Sequence, residues 1–132
     1  MSQERAGARV LVVDDEPDLI RVLQFGLQAA GYTVDCAADG QEGLKKAREL
    51  RPDIILLDLM LPKLDGYKIC RLLKFDDRYK HIPIIILSAR TQEGDQALAL
   101  EMGANRFISK PYDFTEILSI IETLLKQAPV RP

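Results

Sequence analysis

Five short apolar segments alternate with five amphipathic segments along the chain, and this order constrains the fold more than any other feature. The apolar segments predict strands at residues 9–13, 32–37, 53–58, 81–88 and 105–110. The amphipathic segments predict helices at residues 17–30, up to 50 after a cap at Asp39, at 67–75, at 93–102, and up to 127 after a cap at Asp113. Strict alternation of this kind, with inner strands that are apolar on both faces, predicts a parallel sheet covered by helices on both sides.

Local signals refine this assignment. Pro17 suits a first helical position, and Asp39 with Glu42 forms a capping-box pair ahead of the second helix. Segment 32–37 alternates apolar and polar residues and predicts an edge strand, whereas segment 53–58 is apolar on both faces and predicts a central one. In the third helix we expect the side chains of Ile69, Leu72 and Leu73 to face the core.

Composition limits the class of protein. With 132 residues, 47% of them hydrophobic, the chain is sufficient for one domain, which we place at residues 9–127 with tails at 1–8 and 128–132. A formal net charge of −2 gives no reason to expect direct contact with nucleic acid. No apolar run reaches the roughly 18 residues of a membrane span, and the first residues lack the apolar segment of a signal peptide, so we expect a cytoplasmic location.

Polar residues collect where the predicted strands end. In open parallel sheets, ligands bind beyond the carboxyl ends of the strands. Those ends carry three acids after the first strand, one acid at the end of the third, a hydroxyl after the fourth and an amine after the fifth: Asp14, Asp15, Glu16, Asp58, Ser88 and Lys110. Clustered carboxylates without histidine or cysteine select a hard divalent cation such as Mg²⁺, and a lysine suits a phosphate. Asp58 is then placed to act as a nucleophile that becomes an aspartyl phosphate.

These residues occur in segments that resemble receiver domains of two-component response regulators, which have a flavodoxin-like (βα)5 fold. The segments are "VDDE" at 13–16, "LLDLMLPKLDG" at 56–66, "LSA" at 87–89 and "GANRFISKP" at 103–111. The resemblance spans residues 9–127, and 30 residues separate Asp58 from Ser88 and 22 separate Ser88 from Lys110.

The resemblance implies a role for each of these residues. Asp58 would accept a phosphoryl group from the phosphohistidine of a sensor histidine kinase or a histidine phosphotransfer protein. Asp15 and Asp58 would ligate Mg²⁺, or Mn²⁺ in its place, together with the backbone carbonyl of Met60, while Asp14 would hold a metal-bound water. Lys110 would bind phosphoryl oxygens, and the Lys110–Pro111 peptide bond would be cis. Glu16 is assigned to the start of the first helix, without a metal contact.

The resemblance also implies a switch. Ser88 would bind the phosphoryl group and move toward it, and Phe107 would turn inward as the switch aromatic. Met60 and Arg90, two residues past Asp58 and Ser88, would tune how fast the phosphate is lost. The domain would promote only its own phosphotransfer and dephosphorylation, would act on an output domain or partner protein through its last two helices, and would be a monomer or a phosphorylation-dependent dimer. Both a stand-alone receiver and a fragment of a longer protein fit the sequence.

Three other functions are disfavoured by particular residues. A phosphatase of the haloacid dehalogenase type would carry a second Asp two residues after its nucleophile, where this chain has Met60, and its nucleophile would follow the first strand. A pseudo-receiver that serves only for docking would usually lack one of the five site residues. All five are present here, namely Asp14, Asp15, Asp58, Ser88 and Lys110. A nucleotide-binding domain would carry a Gly-rich loop after the first strand, and this chain has "DDEPDL" there.

Overall fold

The computed structural model describes residues 7–61, 63–89 and 93–127 of the chain. The predicted tails at 1–8 and 128–132 fall almost wholly outside the described residues. The described strands are β1 (Arg9–Val13), β2 (Thr33–Ala37), β3 (Ile54–Asp58), β4 (Ile84–Ser88) and β5 (Arg106–Ser109). The described helices are α1 (Pro17–Ala29), α2 (Gly40–Leu50), α3 (Gly66–Lys74), α4 (Glu93–Glu101) and α5 (Phe114–Gln127). The largest difference from prediction is at β4, which begins at Ile84 and not at residue 81, because the Ile82 N–H already donates to the Tyr79 carbonyl in a turn at 3.0 Å.

All five strands are parallel and form one sheet in the order β2-β1-β3-β4-β5. The predicted edge strand, β2, lies at an edge, and the predicted central strand, β3, lies in the middle. Every residue of β3 and β4 is buried, which explains their uninterrupted apolar sequence. The fold is therefore the predicted flavodoxin-like α/β fold, a doubly wound sheet between two layers of helices.

Alternate residues of each strand enter two separate cores. Leu11, Val13 and Leu57 face the core that is closed by α2, α3 and α4. Val12 and Leu56 face the core that is closed by α1 and α5. Because the strands run in the same direction and in register, their carboxyl ends meet along one edge of the sheet, which we call the carboxyl edge.

In α3, Ile69 and Leu73 are buried as predicted, but Leu72 is not. The buried residues of α3 are Gly66, Ile69, Cys70 and Leu73, whereas Leu72 is 44% exposed, so the prediction that Leu72 faces the core was wrong. The buried set follows the i, i+3, i+4, i+7 spacing of one helical face, and Leu72 lies off that face. No helix among the described residues is both long and apolar enough to cross a bilayer.

Candidate functional site

The carboxyl edge brings together residues that are far apart in sequence. Asp14 follows β1, Asp58 and Ser88 end β3 and β4, and Lys110 follows β5. Asp14, Asp58 and Ser88 are the buried polar residues of the described chain, with 1%, 6% and 0% exposure. Buried ionisable side chains are costly unless they are paired, so their presence at one edge indicates a functional site.

Lys110 connects the acidic side chains of the edge. Its ammonium nitrogen Nζ lies 3.0 Å from Asp14 Oδ2, 3.1 Å from Glu16 Oε1 and 3.4 Å from Asp58 Oδ2. One cation therefore faces three carboxylates, which leaves the cluster with a surplus of negative charge. The Lys110–Pro111 peptide bond is cis, as the resemblance implies.

Burial and charge shift the pKa values of two of these groups. Burial raises the pKa of the Asp58 carboxyl and the negative charge of Asp14 raises it further, although the N–H of Met60 and the charge of Lys110 act in the opposite direction. Burial works to lower the pKa of the Lys110 ammonium, but its hydrogen bond to Asp14 and the charges of Asp14 and Asp58 outweigh burial, so this pKa lies above its ordinary value. Lys110 therefore stays protonated, and further positive charge near Asp58 would stabilise its ionised form.

Backbone contacts hold the two buried carboxylates in place. Asp14 accepts a hydrogen bond from the Glu16 N–H at 3.0 Å, and its own N–H donates to the Ala37 carbonyl at 3.1 Å. Asp58 accepts a hydrogen bond from the Met60 N–H at 3.2 Å. Gly66 packs against the Asp58 backbone so closely that a Cβ there would lie 2.5 Å from the Asp58 carbonyl oxygen. These contacts fix where the carboxylates point.

The carboxylates form a group that could hold a metal ion. Among the described residues, Asp14, Glu16 and Asp58 each offer an oxygen, and these oxygens lie within 4.8 Å of one another. An all-oxygen donor set of this kind fits Mg²⁺ or Mn²⁺. Asp15, expected as a direct ligand, is exposed and lies outside this group, so its role as a ligand stays a prediction. The chain bends at Asp15, between Asp14 and Glu16.

Comparison of the sequence with models of known protein families identifies the family of this chain. The family model described as "Response regulator receiver domain" matches residues 10–122. The chain belongs to the response regulator receiver family. It is thus a receiver domain of two-component systems, a family whose members typically bind Mg²⁺ at an acidic cluster.

Curated relatives agree with this assignment. The alkaline phosphatase synthesis transcriptional regulatory protein PhoP of Bacillus subtilis is 40% identical over 122 residues, which are 92% of this chain and 50% of that protein. The DNA-binding response regulator MtrA of Mycolicibacterium smegmatis is 39% identical over 124 residues, which are 94% of this chain and 53% of that protein. This receiver domain therefore spans about half the length of the curated relatives it matches.

Solved structures agree as well. The signal receiver domain of a histidine kinase from Syntrophus aciditrophicus superimposes with a TM-score of 0.88 at 31% identity, over 96% of each chain. The chemotaxis response regulator CheY4 of Vibrio cholerae superimposes with a TM-score of 0.83 at 31% identity, over 89% of this chain and 98% of that one. Both similarities extend over nearly the whole receiver domain.

The other predicted site residues of the receiver domain are Ser88, Phe107, Met60 and Arg90. Ser88 ends β4, and its carbonyl accepts a hydrogen bond from the Lys110 N–H at 2.8 Å, so the ends of β4 and β5 are connected beside the acids. Phe107, on β5, is half-buried against the core beneath α2, α3 and α4. Met60 is 60% exposed. Arg90 lies outside the described residues.

Two features of this region were not predicted from the sequence, the contact of Glu16 with Lys110 and the position of Tyr112. Glu16 was assigned to the start of α1, but its side chain makes no capping hydrogen bond and instead reaches Lys110. Tyr112 lines a groove of ≈ 650 Å³ that also contains Glu16 and Lys110. The Tyr112 hydroxyl is buried without a hydrogen-bond partner among the described residues, and burial raises its pKa to about 12. The spacing of residues in the sequence predicts neither the contact of Glu16 nor the position of Tyr112, because both depend on the direction of the chain after a strand ends.

Proposed function

We propose that residues 9–127 act as a phosphoryl-accepting switch in which Asp58 is the acceptor. The observation that carries this proposal is the geometry of Asp58, a buried carboxylate at the end of the central strand, 3.4 Å from a permanent cation and beside a second buried acid. A carboxylate so placed can attack phosphorus, while its surroundings compensate the charge that collects there. The phosphoryl donor is a phosphohistidine on a sensor histidine kinase or a histidine phosphotransfer protein.

The donor set supports a divalent ion as the cofactor. Asp15, Asp58 and the Met60 carbonyl would ligate Mg²⁺, or Mn²⁺ in its place, and Asp14 would hold a metal-bound water, as the family resemblance implies. The Glu16 carboxylate lies close enough to provide an additional oxygen ligand. When bound, the ion supplies positive charge that offsets the charge of the acceptor and of the incoming phosphoryl group.

Lys110 and Ser88 then bind the transferred group. The Lys110 ammonium contacts three carboxylates. A phosphoryl group on Asp58 would add about −1.5 to −2 charges close to this ammonium. We expect Lys110 to exchange a carboxylate contact for a phosphoryl oxygen, and the Ser88 hydroxyl to donate to another. Because the Ser88 carbonyl is hydrogen-bonded to the Lys110 N–H, movement of either residue pulls on the other.

This coupling is the proposed origin of the switch. A shift of Ser88 at the end of β4 would make room for Phe107, which is half-buried on the adjacent strand β5, to turn inward. The outer faces of the last two helices would follow and alter contact with an output domain or partner protein. Phosphorylation then favours one of two conformations by its differential contacts, as any ligand-driven switch requires.

The lifetime of the phosphate belongs to the same proposal. The domain would promote its own phosphotransfer and its own dephosphorylation. Met60, exposed two residues after Asp58, has no side-chain group that strongly orients an attacking water, and Arg90 is the second residue proposed to tune the rate. We propose a cytoplasmic domain that is monomeric or dimerises on phosphorylation and makes no direct contact with nucleic acid or membrane.

The test is direct phosphorylation by a small donor. The chain is incubated with Mg²⁺ and acetyl phosphate or phosphoramidate, and its intact mass is measured. We expect one phosphoryl group on the wild type and on Asp77→Ala, which removes an exposed carboxylate on the turn after α3. We expect none on Asp58→Ala or after chelation of the metal. An adduct that survives Asp58→Ala would show that the acceptor is another residue. Beryllium fluoride followed by a measurement of molecular size tests dimerisation separately.

A further inference from the structure

A second groove, of ≈ 1000 Å³, lies along α2 and α3, and none of its lining residues belongs to the carboxylate site. Its apolar residues are Leu64, Leu72 and Phe75. Leu72 is 44% exposed and Phe75 is 70% exposed, although both are large apolar side chains. We call this surface the α2–α3 groove.

Two of these apolar residues, Leu72 and Phe75, belong to a regular stripe on the outer face of α3. Lys68, Arg71, Leu72 and Phe75 follow one another at i, i+3, i+4 and i+7, with Phe75 as the C-cap residue. The opposite face of α3 is buried in the core, so this stripe lies on the side of α3 that faces away from the core. Adjacent exposed apolar side chains rimmed by charged ones are typical of an interaction surface.

The charge of the groove is opposite to that of the chain. Four basic side chains and two carboxylates line it, whereas the chain has a formal net charge of −2. Asp76 is paired with Arg78 at 2.8 Å, and Asp77 with Lys80 at 3.1 Å. Of the four basic residues of the groove, Lys68 and Arg71 form no ion pair among the described residues, and Arg48 forms none but acts electrostatically on Asp76.

We propose that the α2–α3 groove binds an acidic amphipathic helix of a partner protein. Apolar side chains one turn apart on that helix would contact Leu72 and Phe75, which are themselves one turn apart, and its carboxylates would face Arg48, Lys68 and Arg71. A groove bordered by two helices, with apolar residues inside and like charges outside, suits an amphipathic helix of the opposite charge.

A second copy of the chain is a less suitable occupant. The chain exposes another apolar pair on α1, Val22 at 62% and Phe25 at 78%. The charged residues beside that pair, Asp18 and Arg21, neutralise each other at 3.1 Å. The outer face of α1 therefore has no surplus of carboxylates to place against the basic side chains of the groove. The same pair provides a matched control, because it is equally apolar and exposed but lies outside the groove.

The test uses two synthetic peptides and the full chain. Each peptide has about four helical turns with Leu and Phe on one face, and the flanking positions are all Glu in one peptide and all Lys in the other. Fluorescence anisotropy measures their affinities. We expect the Glu peptide to bind the wild type, with a roughly tenfold loss of affinity in Phe75→Ser and in Arg71→Glu and no change in Phe25→Ser. We expect the Lys peptide to gain affinity in Arg71→Glu.

Several outcomes would overturn the proposal. Absence of binding by the Glu peptide, equal binding of the two peptides, or equal losses in Phe75→Ser and Phe25→Ser would each show that the groove does not select an acidic helix. If the chain alone forms dimers that Phe75→Ser abolishes, the occupant is a second copy. Circular dichroism of each variant shows that its fold is retained, which is expected because the substituted residues are exposed.

Discussion

Lys110 at the carboxyl edge of the sheet faces three carboxylates, whereas the polar side chains Asp53 and Asn105 at the amino edge accept hydrogen bonds from donors within the chain. At that amino edge, Asp53 Oδ2 accepts the Arg9 N–H at 2.7 Å just before β3 begins. Asn105 Oδ1 accepts the Ile84 N–H at 3.0 Å and Lys74 Nζ at 3.2 Å just before β5 begins. Both edges carry polar groups, but the amino edge satisfies them within the chain and the carboxyl edge leaves charge uncompensated.

This difference separates stability from function. Hydrogen bonds that are complete within the chain stabilise the fold whatever is bound to it, and the amino edge has that character. A surplus of buried negative charge lowers stability in the absence of a ligand and raises affinity for cations. The carboxyl edge is therefore expected to respond to substitutions differently from the amino edge, and four experiments test that expectation.

The largest effect is expected where the backbone of the carboxyl edge has no free space. A Cβ at Gly66 would lie 2.5 Å from the Asp58 carbonyl oxygen and 2.8 Å from Leu59 Cα, and these backbone atoms cannot yield without displacing the acceptor. We expect Gly66→Ala to lower the free energy of unfolding by about 3 kcal/mol and to slow phosphorylation. Urea unfolding and intact mass measure the two effects.

Gly94 is the matched control for that substitution. A Cβ at Gly94 meets nothing within 4 Å, and the residue lies in α4. We expect Gly94→Ala to raise stability by about 0.5 kcal/mol, because alanine favours helix more than glycine does. Similar losses in both variants would mean that contact with the Asp58 backbone is not what makes Gly66 necessary.

The next largest effect is expected at the amino edge. Asn105→Ala removes the acceptor of the Ile84 N–H and of Lys74, and it leaves a buried backbone donor without that partner. We expect a loss of about 2 kcal/mol in the free energy of unfolding, with the rate of phosphorylation by acetyl phosphate unchanged under folding conditions. Asn105→Asp, which keeps the acceptor, should retain most of the stability. A phosphorylation defect in folded Asn105→Ala would contradict the separation of the two edges.

The fold was predictable because its signals are local. Runs such as "IILLD" and "IIILS" are apolar on both faces, and only strands that are covered on both sides bury such residues completely. Pro17 and Asp39 act within one turn of the helices they begin, and Asp39 accepts the Glu42 N–H at 2.8 Å as predicted. The exposed Leu72 was assigned to the core because its apolar character does not reveal that its outward face forms part of a groove.

The site was predictable in its members but not in its contacts. Asp14, Asp58, Ser88 and Lys110 could be placed at one edge, because parallel strands align their carboxyl ends. Which of the neighbours Asp15 and Glu16 reaches Lys110 depends on the direction of the chain after β1, which residue type does not encode. For the same reason, the sequence does not indicate that Tyr112 lines the same groove as Lys110.

A smaller effect, of opposite sign at the two edges, is expected from one substitution made twice. Asp58→Asn removes a charge from the cluster with surplus negative charge and should raise the free energy of unfolding by about 1 kcal/mol at neutral pH without metal. Asp53→Asn weakens the charge-assisted hydrogen bond from the Arg9 N–H and should lower it by about 1 kcal/mol. Urea unfolding in a chelator measures both. Shifts of the same sign would show that the two edges do not differ in electrostatics.

The smallest effect is the pH dependence of the gain in Asp58→Asn. Burial and the charge of Asp14 raise the pKa of the Asp58 carboxyl, so the folded state binds its proton more tightly than the unfolded state, whose pKa is about 3.9. Ionisation of Asp58 therefore lowers the stability of the wild type as the pH rises through the folded-state pKa. We expect the advantage of Asp58→Asn to be largest at neutral to slightly alkaline pH and to shrink as the pH falls toward the unfolded-state pKa. The deficit of Asn105→Ala, which adds or removes no titratable group, should stay constant over that range. A constant advantage for Asp58→Asn as well would mean that its charge is already compensated within the folded chain.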